Sequence, residues 1–452
     1  MSRIRLPLLT AIVAALAASP AAAQDTPWTA MNRGSDNIEV LGHLPLGPRL
    51  NVADMDVEQE MSRPYAYVAR MVYGDEGDKG MDIISIEDPE NPELLYEWRI
   101  ENQDLHMRTG GMDVKHFKWD GRYYVVQSLQ FGQGGPDNDL GAVILDVTGL
   151  PDASTVQEVA RIREPEMPGG FHNIFIYKHS NGQVYLFTTA NAPGALIYDL
   201  GEIVEGADPS DAYVGMVPVP ESSLGSGSSR GYHDFYVGYH PDTGQDRFYG
   251  GGTGGYYIYD VSDLTSPEVA ITLTNVSGVS YGHTFTPDPS GRYVIAETEY
   301  QYAPIRVFDL QPALEGEVQN IRSPISAFTA HWEHLIHNHE VRWPFVFASG
   351  YLDGLQVFNF MDPTNPQLVG YYDTYLGAPN TDRYSQFNGA FGIDVRNEDG
   401  LVVVSDMSTG LWTFKMDGFD GWNGEQWGLP NISSAQDWDA PARRPVSQEE
   451  DR

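Results

Sequence analysis

Four histidines open successive segments of similar make-up: Phe171-His172-Asn173, Tyr232-His233-Asp234, Gly282-His283-Thr284 and Ile336-His337-Asn338. Neutral imidazole binds zinc, copper, iron and nickel, and three or four imidazoles with one open position make a Lewis-acid or redox centre. His339 follows His337 by two residues and so shares its face in an extended strand, while His116 lies four residues beyond Met112, deeper along the corresponding segment. The candidate metal ligands are therefore His116, His172, His233, His283, His337 and His339. The chain has no cysteine, which excludes thiolate coordination, cysteine nucleophiles and disulfides. A structural role stands beside the metal: each ring could instead tie one segment to its neighbour, the following Asp or Asn fixing its tautomer. Histidine is kept in four adjacent copies and lost in the other three, where Met55-Asp56, Met112-Asp113 and Ala390-Phe391 stand, and that clustering favours the metal. His331 and His334 are read as loop or supporting residues.

Other chemistry reads more weakly. Glu297 and Glu299 are read as outward-facing acids. Residues 73–80, 134–141 and 418–424 bring oxygen ligands close together and are the places where Ca²⁺ would sit, yet none carries an EF-hand loop with its terminal Glu, so solvated hairpins are the better reading. The glycine-rich stretch from Gly225 has no P-loop lysine, and no G-x-S-x-G occurs, so no catalytic side chain is assigned.

The histidine segments recur because the chain is built of repeats. GMDIIS from Gly80, GAVILD from Gly141, GALIYD from Gly194, GYYIYD from Gly255, PIRVFD from Pro304, GLQVFN from Gly354 and GLWTFK from Gly410 are seven copies of one pattern. Their spacings of 49 to 61 residues fit a four-stranded unit with loops of variable length. Pro92, Pro267 and Pro366 punctuate the turn after three of the copies, since proline fixes φ and removes a donor. Each copy reads as strand, strand, strand, turn, strand, and no amphipathic helix interrupts the series, so the chain is all-β. The last copy lacks a fourth strand of its own, and residues 37–47 resemble a fourth strand without a copy. Pairing the two would close a ring and remove an exposed edge. The expected architecture is a single seven-bladed β-propeller over residues 37–425, closed by the N-terminal strand, with a disordered tail over 428–452.

Apolar residues at 41% and aromatics at 12% supply a large core. With 63 acidic against 27 basic side chains, the net charge of −36 repels phosphate backbones and anionic lipid, so neither nucleic acid nor a membrane surface is an expected partner. Arg3 and Arg5, an apolar run from Leu6 to Ala18, then Ala21 and Ala23, read as a cleaved Sec-type signal peptide over residues 1–23. A periplasmic or secreted monomer is expected, meeting a small molecule or a surface ligand.

The His-Asp or His-Asn opening, with a third strand of the IYDVSD type before a proline turn, resembles the LVIVD-repeat propellers of secreted bacterial proteins over nearly the whole chain. The layout is more distantly similar to the selenium-binding protein and methanethiol oxidase family, whose propellers carry a histidine metal site; the cysteines of that family are absent here. These resemblances imply a transition metal, copper ahead of zinc, and tilt the chemistry towards oxidation. Two functions remain: an exported metal-dependent oxidoreductase acting on a small substrate, and a non-catalytic LVIVD-type binding or surface-interaction module with structural histidines.

Overall fold

The computed structural model describes residues 33–74, 76–133, 136–220, 230–240, 242–375, 386–423 and 436–443. The leader expected over 1–23 lies outside them. Short strands dominate, and among the described residues the α-helices are the brief turns Leu200–Val204 and Gln311–Leu314. The protein is all-β, and no helix among the described residues is long and apolar enough to cross a membrane.

The strands form six hydrogen-bonded sheets where seven were expected, five of four strands and one of eight. The eight-stranded sheet holds two successive runs of four, residues 52–99 and 107–163, joined where Met71 and Val72 face Gly110 and Thr109. Within each run neighbouring strands pair antiparallel in chain order, as Tyr232–His240, Gln245–Gly252, Gly255–Asp260 and Glu268–Thr274 do. Ile38–Leu44 is the fourth member of the last sheet: it pairs antiparallel with Gly410–Met416, with Ile38 opposite Met416 and Leu44 opposite Leu411.

Third strands such as Gly194–Asp199 are buried along their whole length, whereas the fourth strand Glu268–Thr274 is half exposed. Continuous burial means that both faces of a sheet are covered by neighbouring sheets. Aromatic rings fill those gaps, with Phe187 centred 6.1 Å from Phe248 and Tyr256 centred 5.1 Å from Phe285. Each such ring contributes about 1.5–3 kcal/mol through burial. The glycine that opens the repeat is steric in origin. A Cβ at Gly80, Gly194, Gly255 or Gly410 would come within 2.0–2.3 Å of a carbonyl oxygen on the strand beside it.

First strands of adjacent groups are tied by serines on the second strands. Ser128 Oγ accepts from Asp113 N–H (2.9 Å) and donates to the His172 carbonyl (3.3 Å). Ser349 Oγ accepts from Asn338 N–H (3.2 Å) and donates to the Phe391 carbonyl (2.6 Å). Ser405 Oγ accepts from Gly392 N–H (3.0 Å) and donates to the Ala53 carbonyl (2.6 Å), which links the last group to the first. Close to these positions the ladder bulges, between Val52 and Met55, Gly111 and Val114, Tyr232 and Asp234, and Ala390 and Gly392. The bulges correct the alignment of the first copy: Ala53-Asp54, not Met55-Asp56, matches Met112-Asp113.

Part of the tail expected to be disordered has a defined place. Lys178 N–H donates to Gln436 Oε1 (2.7 Å), and Gln436 Nε2 donates to the Ile176 carbonyl. The open edge of the strand Ile174–Lys178 has backbone groups to satisfy, and this carboxamide meets them as a further strand would. Arg443 continues the contact, its N–H bonded to the Ser180 carbonyl (2.7 Å) and its guanidinium 4.0 Å from the Tyr239 ring centre.

Candidate metal centre

His172, His283 and His337 immediately precede or nearly abut the first strands Ile174–Lys178, Phe285–Pro287 and Asn338–Arg342, and His233 lies at the start of Tyr232–His240. All four therefore stand at the same end of their strands in four consecutive groups. Their rings form an arc, with centres 4.7 Å apart for His172 and His233, 4.2 Å for His233 and His283, and 5.1 Å for His283 and His337. Glu299 enters this arc, its Oε2 3.6 Å from His233 Nε2 and 3.7 Å from His283 Nε2. Ligand atoms of His233, His283 and Glu299 all lie within 4.8 Å of one another. Donors bound at about 2.1 Å in a tetrahedral site stand roughly 3.4 Å apart, so this set fits a transition metal with small adjustments. His172 and His337 flank it.

Hydrogen bonds hold the surrounding rings in place. His337 Nδ1–H donates to the Phe391 carbonyl at 2.8 Å, which leaves Nε2 with its lone pair. His172 Nδ1 meets Gln130 Oε1, and His283 Nδ1 lies 2.8 Å from Thr284 Oγ1. Tyr351 donates its hydroxyl proton to Glu299 Oε1. His283 Nε2 and His233 Nδ1 are buried and have no hydrogen-bond partner. A buried imidazole nitrogen without a donor or acceptor, facing a carboxylate, is an arrangement that a cation satisfies.

Burial sets the charge of the site. It holds His172, His233 and His283 well below the ordinary imidazole range, with Arg230 and neighbouring imidazoles adding to the effect. His337 is pushed down to about 3, again by burial. The Glu299 carboxyl is pushed up to about 7 by burial, against the pull of the Tyr351 hydrogen bond and Arg230. The imidazoles are thus neutral donors, the protonation state that coordination requires.

Two predicted ligands lie elsewhere. His339 lies in the strand that follows His337 but is 2.7 Å from Glu297 Oε1; burial lowers its imidazole, yet the charge and hydrogen bond of Glu297 with neighbouring acids together raise it. His116 meets Asp56 near the opposite end of the first strands, with Trp438 packed edge-on at 6.0 Å. The outward reading of Glu297 and Glu299 is corrected: Glu297 is buried beneath the arc and Glu299 belongs to it. The signal was the hairpin register. His283 N–H bonds the Glu297 carbonyl at 2.9 Å, which brings the end of the second strand back to the level of the histidine.

Beneath the arc, Asp54, Asp113, Asp234 and Asn338 line one cavity with Lys115 among them. Lys115 Nζ lies 2.8 Å from Asp113 Oδ1, and burial pushes Asp234 up to about 6. His331 and His334 stack at 4.1 Å, and their ligand atoms come within 4.8 Å of those of Asp353, against which His334 is placed. Of the oxygen-rich loops, Asp137 and Asp139 each lie 2.6 Å from Arg163 and Asp78 3.7 Å from Arg99, so their carboxylates already face cations.

No family model matches the chain, and no curated protein matches it. Among solved structures it is similar to the computationally designed Ika8 protein, with TM-score 0.48 and 9% identity over 84% of this chain and 100% of that one. It is also similar to Raptor from Chaetomium thermophilum, with TM-score 0.54 and 13% identity over 86% of this chain. The chain spans about 30% of the length of that Raptor chain. At this identity the likeness to Raptor speaks to fold alone, and the fold is of the β-propeller type.

Proposed function

We propose that the chain is an exported seven-bladed β-propeller, closed by its N-terminal strand, whose histidine-lined mouth binds a transition metal and acts as an oxidoreductase on a small substrate. The observation that carries the metal is Glu299 between His233 and His283, with His283 Nε2 buried and otherwise unpartnered. Two imidazoles and a carboxylate suit copper, zinc or iron, with copper first because of the further imidazoles of His172 and His337. When bound, such a metal supplies Lewis acidity and, if redox-active, electron transfer. The chain's own residues orient the donors: Tyr351 holds Glu299, the Phe391 carbonyl holds His337, and Gln130 holds His172. Ring closure is supported by the pairing of Ile38–Leu44 with Gly410–Met416 and by the Ser405 link to Ala53. Seven blades follow if the eight-stranded sheet is two neighbours touching at Met71 and Val72. Export rests on the leader-like residues 1–23.

A second reading, a non-catalytic binding module, is favoured by one observation. The Nδ1 atoms of His172 and His337 bond across to adjacent groups, as structural hinges would. Metal analysis of tag-free protein, before and after incubation with Cu²⁺ and Zn²⁺, separates the two. About one tightly held ion per chain is expected, with His233→Ala and Glu299→Gln each losing most of it while far-ultraviolet circular dichroism stays unchanged. Wild-type protein that takes up neither ion would leave the binding module.

A further inference from the structure

Residues 436–443 read Gln-Asp-Trp-Asp-Ala-Pro-Ala-Arg, and they lie across the far ends of the first strands Met107–Trp119, Ile174–Lys178 and Tyr232–His240, opposite the histidine arc. Gln436, Trp438 and Ala440 are half-buried while Asp437 and Asp439 between them are exposed, the alternation of an extended chain lying on a surface. Three residues carry the contact. The Gln436 carboxamide takes the Lys178 N–H and gives its own N–H to the Ile176 carbonyl, two residues apart on one open strand edge. Trp438 stands edge-on to His116 and packs on the hydrophobic cluster that holds Phe117 and Ile176. Arg443 lays its guanidinium over the Tyr239 ring. Hydrogen bonding along a strand edge, with an aromatic anchor beside it, is how folded proteins read short extended peptides.

Charge points the same way. The chain has five lysines, and two of them, Lys118 and Lys178, stand at this end. Lys118 Nζ donates to Asp439 Oδ2, and that bond is the main cause that raises its ammonium above the ordinary lysine range. Burial lowers the Lys178 ammonium, and the opposing pull comes from Asp439 and Asp437. In a chain with 63 acidic and 27 basic side chains, a face that sets two lysines toward two acids of one segment is complementary to that segment. The seating is loose. A cavity of about 330 Å³ stays open between Trp438 and Asp439 on one side and Glu60, His116, Lys118 and Tyr123 on the other, where a close-packed interior would be filled. Asp439 is mostly exposed, so its pair with Lys118 is open to screening by salt.

We propose that this end of the fold is a recognition surface for an extended peptide, and that its ligand is the segment Gln436–Arg443, seated reversibly and therefore accepted also from a second copy of the chain. The surface is independent of the metal-centre reading.

Fluorescence anisotropy of a labelled peptide of residues 436–443, added to the full chain, tests this. Gln436→Ala and Trp438→Ala in one chain vacate the surface, and that variant is expected to bind the peptide with affinity on the order of 10–100 micromolar. Wild type, whose own segment competes at high effective concentration, is expected to bind it more weakly by about tenfold or more. Lys118→Glu added to the vacated variant is expected to weaken binding by about tenfold or more, with circular dichroism reporting that the variants are folded. No binding by the vacated variant, equal binding by wild type, an unchanged affinity with Lys118→Glu, or a scrambled peptide of the same composition binding as tightly would each overturn the proposal. Hydrogen exchange on wild type tests reversibility without a substitution. The Lys178 amide, bonded to Gln436, should exchange faster by about tenfold or more than the amides of the interior strand Val184–Thr189. Equal protection would make the segment a fixed part of the fold and overturn the proposal as well.

Discussion

Buried imidazoles in this protein differ by what stands against the ring. At His116 and His339 neighbouring carboxylates together outweigh burial and raise the pKa, whereas at His240 burial prevails and pushes it down to about 4, with Arg247 adding to the effect. His240 packs against Gly291, lies 3.2 Å from Thr243 Oγ1, and has no partner on Nε2. In the unfolded chain the same ring would protonate near its ordinary pKa of about 6.5, so the unfolded state takes up the proton first as pH falls. The stability that His240 supports is therefore present above about 6.5 and lost as pH drops towards 4. Urea unfolding across that window should show a decline that is shallower in His240→Gln; identical slopes would contradict the assignment. At this scale the four histidines of the arc were legible because a repeat aligns them. Glu299 was not, since an acid three residues past the strand Tyr293–Ala296 looks like any solvated loop acid until the hairpin register is known.

The second-strand serines show how an element can be both a strand and a clamp. Ser405 spends its hydroxyl on a bulged backbone amide of its own sheet and on a carbonyl of the next, so removing it leaves two buried groups short of a partner. Ser405→Ala should cost about 1–3 kcal/mol, read as a lower denaturant midpoint with an unchanged m value. An exposed control such as Ser154→Ala should lie within about 0.5 kcal/mol of wild type. Third strands were readable from sequence because the glycine that admits a neighbouring carbonyl and the apolar run behind it are both compositional marks. Bulges leave no such mark. An extra residue changes register without changing composition, and that is why the first copy was aligned two residues late, on Asp56 instead of Asp54.

For the molecule as a whole, the first and last described strands meet in one sheet. Deleting residues 33–47 would uncover the edge of Gly410–Met416 and leave Trp412, stacked on His43 at 3.9 Å, without its cover. Scanning calorimetry should then show a melting temperature lower by several degrees and a tendency to associate through the bared strand; an unchanged melting temperature would speak against closure. The overall β architecture was legible from the repeat period, while the docking of Gln436 and Arg443 was not, because a polar tail gives no sign of the open strand edge it will meet. At the histidine end, the histidine side chains lie at a bulge or just ahead of the ladders. His172, His233, His283 and His337 fill four equivalent positions, and Ala53, Met112 and Phe391 stand at the corresponding place in three other groups. An exchange at one of them alters what this end of the sheets presents, and at His172 and His337 it also cuts a tie to the neighbouring group, so chemistry and scaffold are coupled at two of the four histidines.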